Sequence, residues 1–270
     1  GIIRHATAQY NTPSIVKGKA GSPYAITDYY DIDPDICEDK RRRMHEFEEL
    51  VERSHQAKLD VIIDFVPNHV AREYHSTCKP KGVEDLGATD NPQWAFSPLN
   101  NFYYIHQPFA PSFDVEGYTE NPTRATGNDC FTAHPSKDDW YETVKLNYGV
   151  FYQGSGEQQF DPIPNTWHKM LHILLFWSNK GVDGFRCDMA EMVPQAFWAW
   201  VIPQVKAKYP NILFIAEVYN PNLYREYLAA GFDYLYDKVG MYDYLRGVTS
   251  KNWSAEGITL QWQNVDDIRD

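Results

Sequence analysis

The sequence predicts an α/β fold in which a parallel sheet curls toward a (β/α) barrel, and three observations lead there. Short, β-branched apolar runs alternate with helical patterns from about residue 40 to residue 236, which is the rhythm of strands joined by crossover helices. No G-x-G-x-x-G or G-K-[ST] loop follows any of these runs, as a doubly wound nucleotide-binding sheet would require. Three of the runs carry a carboxylate at or near the C-terminal end, namely Asp64, Asp188 and Glu217, and barrel enzymes place their chemistry at that end.

The elements follow in order. Lys40 to Lys58 sets Met44, Phe47, Leu50, Val51 and Ser54 on one stripe among charges, predicting an amphipathic surface helix. Leu59 to Val66, closed by Pro67, reads as a strand buried on both faces. Its polar end carries Asp64, Asn68 and His69 toward a common edge. From residue 70 to about residue 165 no periodicity persists, and Pro, Gly, Asn, Asp and aromatics are dense. Such a stretch greatly exceeds an ordinary loop of about 4–6 residues and reads as an inserted subdomain, irregular but packed. Thr166 to Lys180 predicts a helix apolar nearly all round, stopped by Gly181. Val182 to Asp188 is a strand, Pro194 to Lys208 a helix bent at Pro203, and Ile212 to Val218 a third strand. Leu223 to Ala230 is a helix stopped by Gly231, and Phe232 to Tyr236 a fourth strand.

Composition limits the partners. The formal net charge of −12 without any basic run argues against nucleic acid. No apolar run reaches the roughly 20 residues of a membrane span. The N-terminus lacks the basic-then-apolar pattern of a signal peptide, so the compartment stays open, with secretion and a periplasmic location both compatible. Aromatic residues form 15% of the chain and suit flat sugar rings, although core packing explains most aromatics. The 4 cysteines form no C-x-x-C pair, which supports neither a zinc site nor a thioredoxin-like motif.

The strand-end carboxylates point to acid/base and nucleophilic chemistry. In retaining glycoside hydrolysis two carboxyl groups roughly 5–5.5 Å apart divide the work, one attacking the anomeric carbon and one protonating the leaving oxygen. Arg186 shares a face with Asp188 by the period-2 rule and is expected to keep it ionised and aimed. Glu217 must begin protonated, which requires its pKa to be raised by apolar or anionic neighbours. A buried Arg186–Asp188 ion pair and a solvated Glu217 form the structural alternative, weakened because three charged strand ends rarely coincide without function. A metal hydrolase using Asp64, Asn68, His69 and Asp188 lacks an H-E-x-x-H or close His pair. Calcium in the inserted stretch is the better metal expectation, since Asn and Asp oxygens suit a hard cation. Asn68 and Asp129 are its candidates, with an ordinary turn the simpler reading of Asp129.

These residues resemble the signature segments of the α-amylase family, glycoside hydrolase family 13. Asp64-Phe65-Val66-Pro67-Asn68-His69 resembles the first, Gly184-Phe185-Arg186-Cys187-Asp188 the second, and Ala216-Glu217-Val218 the third. Gly21 to Tyr29 is similar to the loop after the second barrel strand. The resemblance implies a (β/α)8 TIM barrel, Asp188 as nucleophile, Glu217 as proton donor, and substrate contacts from Tyr24, Asp64, His69 and Arg186. It also implies a structural calcium held in part by Asn68. Residues 1–69 then form one barrel part, 70–165 the subdomain inserted after the third barrel strand, and 166–270 a second barrel part from helix 3 to about helix 6.

Departures from the family pattern shape the expectation as much. The family's third carboxylate, an aspartate in an N-H-D-like segment after the seventh strand, has no counterpart here. By the resemblance the chain is a partial barrel lacking both ends, expected to be inactive or nearly so alone. Glu191-Met192 stands where many starch-degrading members carry Lys-His, leaving substrate length and the choice between hydrolysis and transfer open. Lys238 is weighed as a substrate contact against an ordinary surface lysine. The substrate expected is an α-1,4-linked glucan or maltooligosaccharide, with α-glucan transglycosylation as the alternative. A non-catalytic carbohydrate-binding protein is the reading from another class.

Overall fold

A computed structural model describes residues 1–266 and Ile268; the last residues of the second expected barrel part, 267, 269 and 270, lie outside the described residues. Near the N-terminus β1 (Ile3–His5) and β2 (Ile26–Ile32) pair antiparallel. The resemblance put a loop across the start of β2. Every residue of β2 is buried, so a strand with β1 as partner satisfies backbone groups that a buried loop would leave unpaired.

Helix α1 (Arg43–Gln56) leads into β3 (Ile62–Phe65). Both are shorter than the sequence pattern predicts. Phe47 and Val51 of the apolar stripe are buried, whereas Leu50 is 41% exposed. Lys58 turns the chain with φ +60° and Leu59 is 61% exposed, so the start of the apolar run is spent on the turn out of the helix and the strand begins at Ile62.

Between β3 and the next long helix the chain builds small antiparallel pairs. β4 (His69–Ala71) pairs with β7 (Thr143–Lys145), and β5 (Tyr104–Ile105) with β6 (Thr123–Arg124). Polar residues pin this region in place of long elements. Arg72 and Arg124 both hold Glu120, at 2.8 and 2.7 Å, and although burial pushes its carboxyl up, the charges of Arg124 and Arg72 bring it down to about 2.

The regular alternation then resumes as α2 (Asn165–Asn179), β8 (Gly184–Cys187), α3 (Gln195–Lys208), β9 (Leu213–Ala216), α4 (Tyr224–Ala229) and β10 (Tyr234–Leu235). Gly181 and Gly231 follow α2 and α4 with φ +88° and +113°, the left-handed turn that ends a helix and favours glycine. Helix α3 runs through Pro203. Helices α5 (Asp243–Lys251) and α6 (Gly257–Asp266) complete the described chain.

The four parallel strands lie in chain order, β3-β8-β9-β10. Consecutive strands as neighbours, each joined by a helix, make an arc of a (β/α) barrel; no closed barrel forms among the described residues. Its core is aromatic: Trp177 packs edge-on to Phe47 with centroids 5.4 Å apart, and Trp198 lies 4.8 Å from Phe232. Their indole N–H groups reach Tyr29 and Ala190 carbonyls at 2.8 and 3.1 Å, so these buried donors are satisfied. Gly184 is needed for close strand packing, because an added Cβ would meet the Leu213 carbonyl oxygen at 2.8 Å. Among the described residues no helix is long and apolar enough to cross a membrane.

Candidate active site

Parallel register carries the strand-end residues to one edge. Phe65, Cys187 and Ala216 are aligned partners across β3, β8 and β9, so the residues just beyond them emerge together. Backbone bonds continue past the strands: Asp188 N donates to the Phe65 carbonyl at 2.9 Å, and Glu217 N to that of Cys187 at 3.1 Å. Both carboxylates are thus mounted on rigid ladder and line one pocket with Tyr24, His69, Arg186, Met189 and Tyr219.

Arg186 lies at the centre. Its Nη1 donates to Asp188 Oδ1 at 2.8 Å and to Asp64 Oδ1 at 3.2 Å, while Nη2 lies 2.7 Å from Glu217 Oε1. Tyr24 and Tyr236 flank the guanidinium, their centroids 5.7 and 5.5 Å from its central carbon. The carboxylates raise the arginine's pKa further, so its positive charge is permanent.

Asp188 is 5% exposed. Burial outweighs the guanidinium, and Glu217 adds to the upward push, so its carboxyl rises from 3.8 to about 6. Arg186 does favour the charged form, but desolvation of a group this buried is the larger effect, so the carboxyl is ionised above about 6 rather than from the ordinary carboxylate range upward.

Glu217 is held by three donors. Tyr219 hydroxyl donates to Oε1 at 2.6 Å, Met189 N to Oε2 at 2.9 Å, and Arg186 makes the third contact. Met189 takes φ +46° to aim its N–H, a left-handed conformation uncommon for a residue with a side chain and concentrated at functional sites. Accepting this hydrogen bond from the Tyr219 hydroxyl raises that phenol to about 12.

Tyr24 and His69 meet in the pocket as expected. Burial pushes His69 down to about 3, the Lys145 charge adding to it, so the ring is neutral. Asp64 is placed differently: it pairs with Arg186 and is absent from the residues lining the pocket. The Asn68 site does not fit calcium. Asn68 Oδ1 accepts the Lys145 ammonium at 2.8 Å and Asp129 Oδ1 lies 2.6 Å from that same nitrogen, so the two expected oxygen donors already hold a cation. Lys238 pairs with Asp243 at 2.6 Å, as a surface lysine does.

Sequence reading missed Tyr219, Tyr236, Trp140, Lys17 and Glu142. Tyr219 stands two residues after Glu217, the same offset that linked Arg186 to Asp188, and was findable by that rule; Tyr236 ends the fourth expected strand and was findable by its strand-end position. Trp140, 5.2 Å from His69 between ring centroids, comes with Glu142 from the aperiodic stretch, and Lys17 from the segment before β2. No local signal marks these. Glu191 is used as well: its Oε2 accepts Tyr219 N and Asn220 N, each at 3.1 Å, fixing the loop after β9.

Comparison with known proteins gives one consistent family. The α-amylase catalytic-domain model matches residues 5–229. An α-1,4-glucan:maltose-1-phosphate maltosyltransferase of Cereibacter sphaeroides is 26% identical over 243 residues, 86% of this chain and 32% of that protein. α-Amylase 3 of Dictyoglomus thermophilum is 26% identical over 204 residues, 73% of this chain and 33% of its own length. An α-amylase structure from Lactobacillus plantarum superposes with TM-score 0.61 at 26% identity, covering 98% of this chain and 50% of that one. The chain therefore spans about a third of these relatives and half of that structure.

Proposed function

The chain belongs to the α-amylase catalytic-domain family, and from that premise we propose that it carries retaining machinery for α-1,4-linked glucans and maltooligosaccharides. Asp188 attacks the anomeric carbon and Glu217 protonates the departing oxygen. The observation that carries this reading is that one guanidinium bridges both carboxylates at the mouth of adjacent parallel strands.

Arg186 engages Asp188 Oδ1, which leaves Oδ2 for attack. As the Oδ2–C1 bond forms, the glycosidic C–O bond breaks and the Glu217 proton passes to the leaving sugar oxygen. Glu217, now a carboxylate stabilised by Tyr219 and Met189 N, takes a proton from the incoming acceptor. That acceptor's oxygen attacks C1 and releases Asp188. Tyr24 offers its ring to the sugar, and neutral His69 hydrogen-bonds a sugar hydroxyl without adding charge.

Transfer to a sugar or phosphate acceptor is the second reading, favoured by the relatives named as maltosyltransferases, at 26% identity. It shares every step except the identity of the acceptor. Treating the full-length protein with a fluorinated α-glucosyl fluoride and mapping the labelled peptide tests the common part. A label on Asp188 supports the proposal, and a label elsewhere or an inverted product refutes it. NMR of the products of maltoheptaose then separates water from sugar as acceptor.

A further inference from the structure

Lys145 is a buried cation at the junction of β4, β7 and the Gly127–Asp129 turn. It lies in β7, opposite His69 of β4, and its side chain is 2% exposed. An ammonium has three N–H donors, and three partners surround this one. They are Asn68 Oδ1 at 2.8 Å, Asp129 Oδ1 at 2.6 Å, and the face of Tyr152, whose centroid is 5.1 Å away. Calcium takes six to eight oxygens at roughly 2.3–2.6 Å, and an aromatic face supplies none. The set matches one ammonium and mismatches a divalent ion.

The contact also orients the neighbouring amide. Lys145 only donates and the Gly127 carbonyl only accepts, so Asn68 must turn Oδ1 to the lysine and Nδ2 to Gly127, at 2.8 Å. That same Nδ2 lies 3.1 Å from His69 Nδ1. Facing an amide N–H, Nδ1 of the neutral ring acts as acceptor, and the single ring proton belongs on Nε2.

We propose that the Lys145 ammonium is a built-in replacement for a divalent cation at this junction, and that through Asn68 it fixes the Nε2–H tautomer of His69 in the pocket. Lys145 is thereby a positioning residue, acting on the pocket two contacts away. The proposal stands apart from the reading of the reaction, since it concerns what holds the site.

The test combines calorimetry, thermal melting and the imidazole nitrogen signals of 15N-labelled protein. The unsubstituted protein should give no saturable heat with calcium chloride, the same Tm with or without EDTA, and the nitrogen pattern of an Nε2–H ring for His69. Lys145→Met keeps length and removes charge; its Tm should fall on the order of 10 °C, with the His69 signals moving away from a single tautomer. Stoichiometric calcium binding to the unsubstituted protein, a loss of Tm in EDTA, or a protonated Nδ1 overturns the proposal. So does a Lys145→Met protein that melts with the parent and keeps its His69 pattern. Should that variant fail to fold, the calcium titration and the parent spectrum still decide.

Discussion

Replacing Asp188 with Asn should make the fold more stable at neutral pH while abolishing nucleophilic attack. In the native protein the Asp188 carboxyl keeps its proton up to about 6, against an ordinary value of 3.8, because burial disfavours its charge more than Arg186 favours it. The folded state therefore binds the proton more tightly than the unfolded chain. Linkage then gives the sign of this group's share: the contribution of Asp188 to stability is greatest below pH 4, declines as pH rises through the interval to about 6, and stays level above it. At 1.36 kcal/mol per decade, the interval from 3.8 to about 6 amounts to about 3 kcal/mol. Asn keeps the shape and an oxygen for Arg186, and Asp64 and Glu217 still neutralise the guanidinium. Urea denaturation of both proteins from about pH 4 to about pH 8 reads the difference as a gap in midpoint that opens with rising pH and then holds constant. A variant no more stable than the parent at the alkaline end, or a gap independent of pH, refutes the reasoning.

Other perturbations follow from the same geometry. For maltooligosaccharide cleavage kcat/KM should fall along an acidic limb near pH 6 as Asp188 takes up its proton, and a profile flat down to pH 4 contradicts the assignment. Glu217→Gln should lower kcat about 100- to 10,000-fold while calorimetry finds maltooligosaccharide affinity retained. Tyr219→Phe removes one of three donors to Glu217, so turnover should fall with the fold intact, by about 10-fold for a charge-assisted bond of about 1.5 kcal/mol, measured as kcat beside an unchanged Tm. Trp198→Ala, at a fully buried ring in the aromatic core, should cost about 3–5 kcal/mol of stability in urea melts.

Local pattern was sufficient for the strand and helix alternation because period and burial are written in neighbouring residues. Val182 to Asp188 and Ile212 to Val218 already read as strands, with Gly181 and Gly231 as helix stops, and the carboxylates at their ends followed from chain order. Arg186 and Asp188 share a face for the same short-range reason. Only the tertiary structure decided what lies between distant segments. It set burial against the guanidinium at Asp188 and brought Trp140, Glu142 and Lys17 to the pocket from stretches without periodicity. It also turned Asp64 to Arg186, and placed the Lys145 ammonium on Asn68 from 77 positions away. Side-chain electrostatics depend on distances through space and on the water excluded around each group, and neither is encoded in the spacing of residues along the chain.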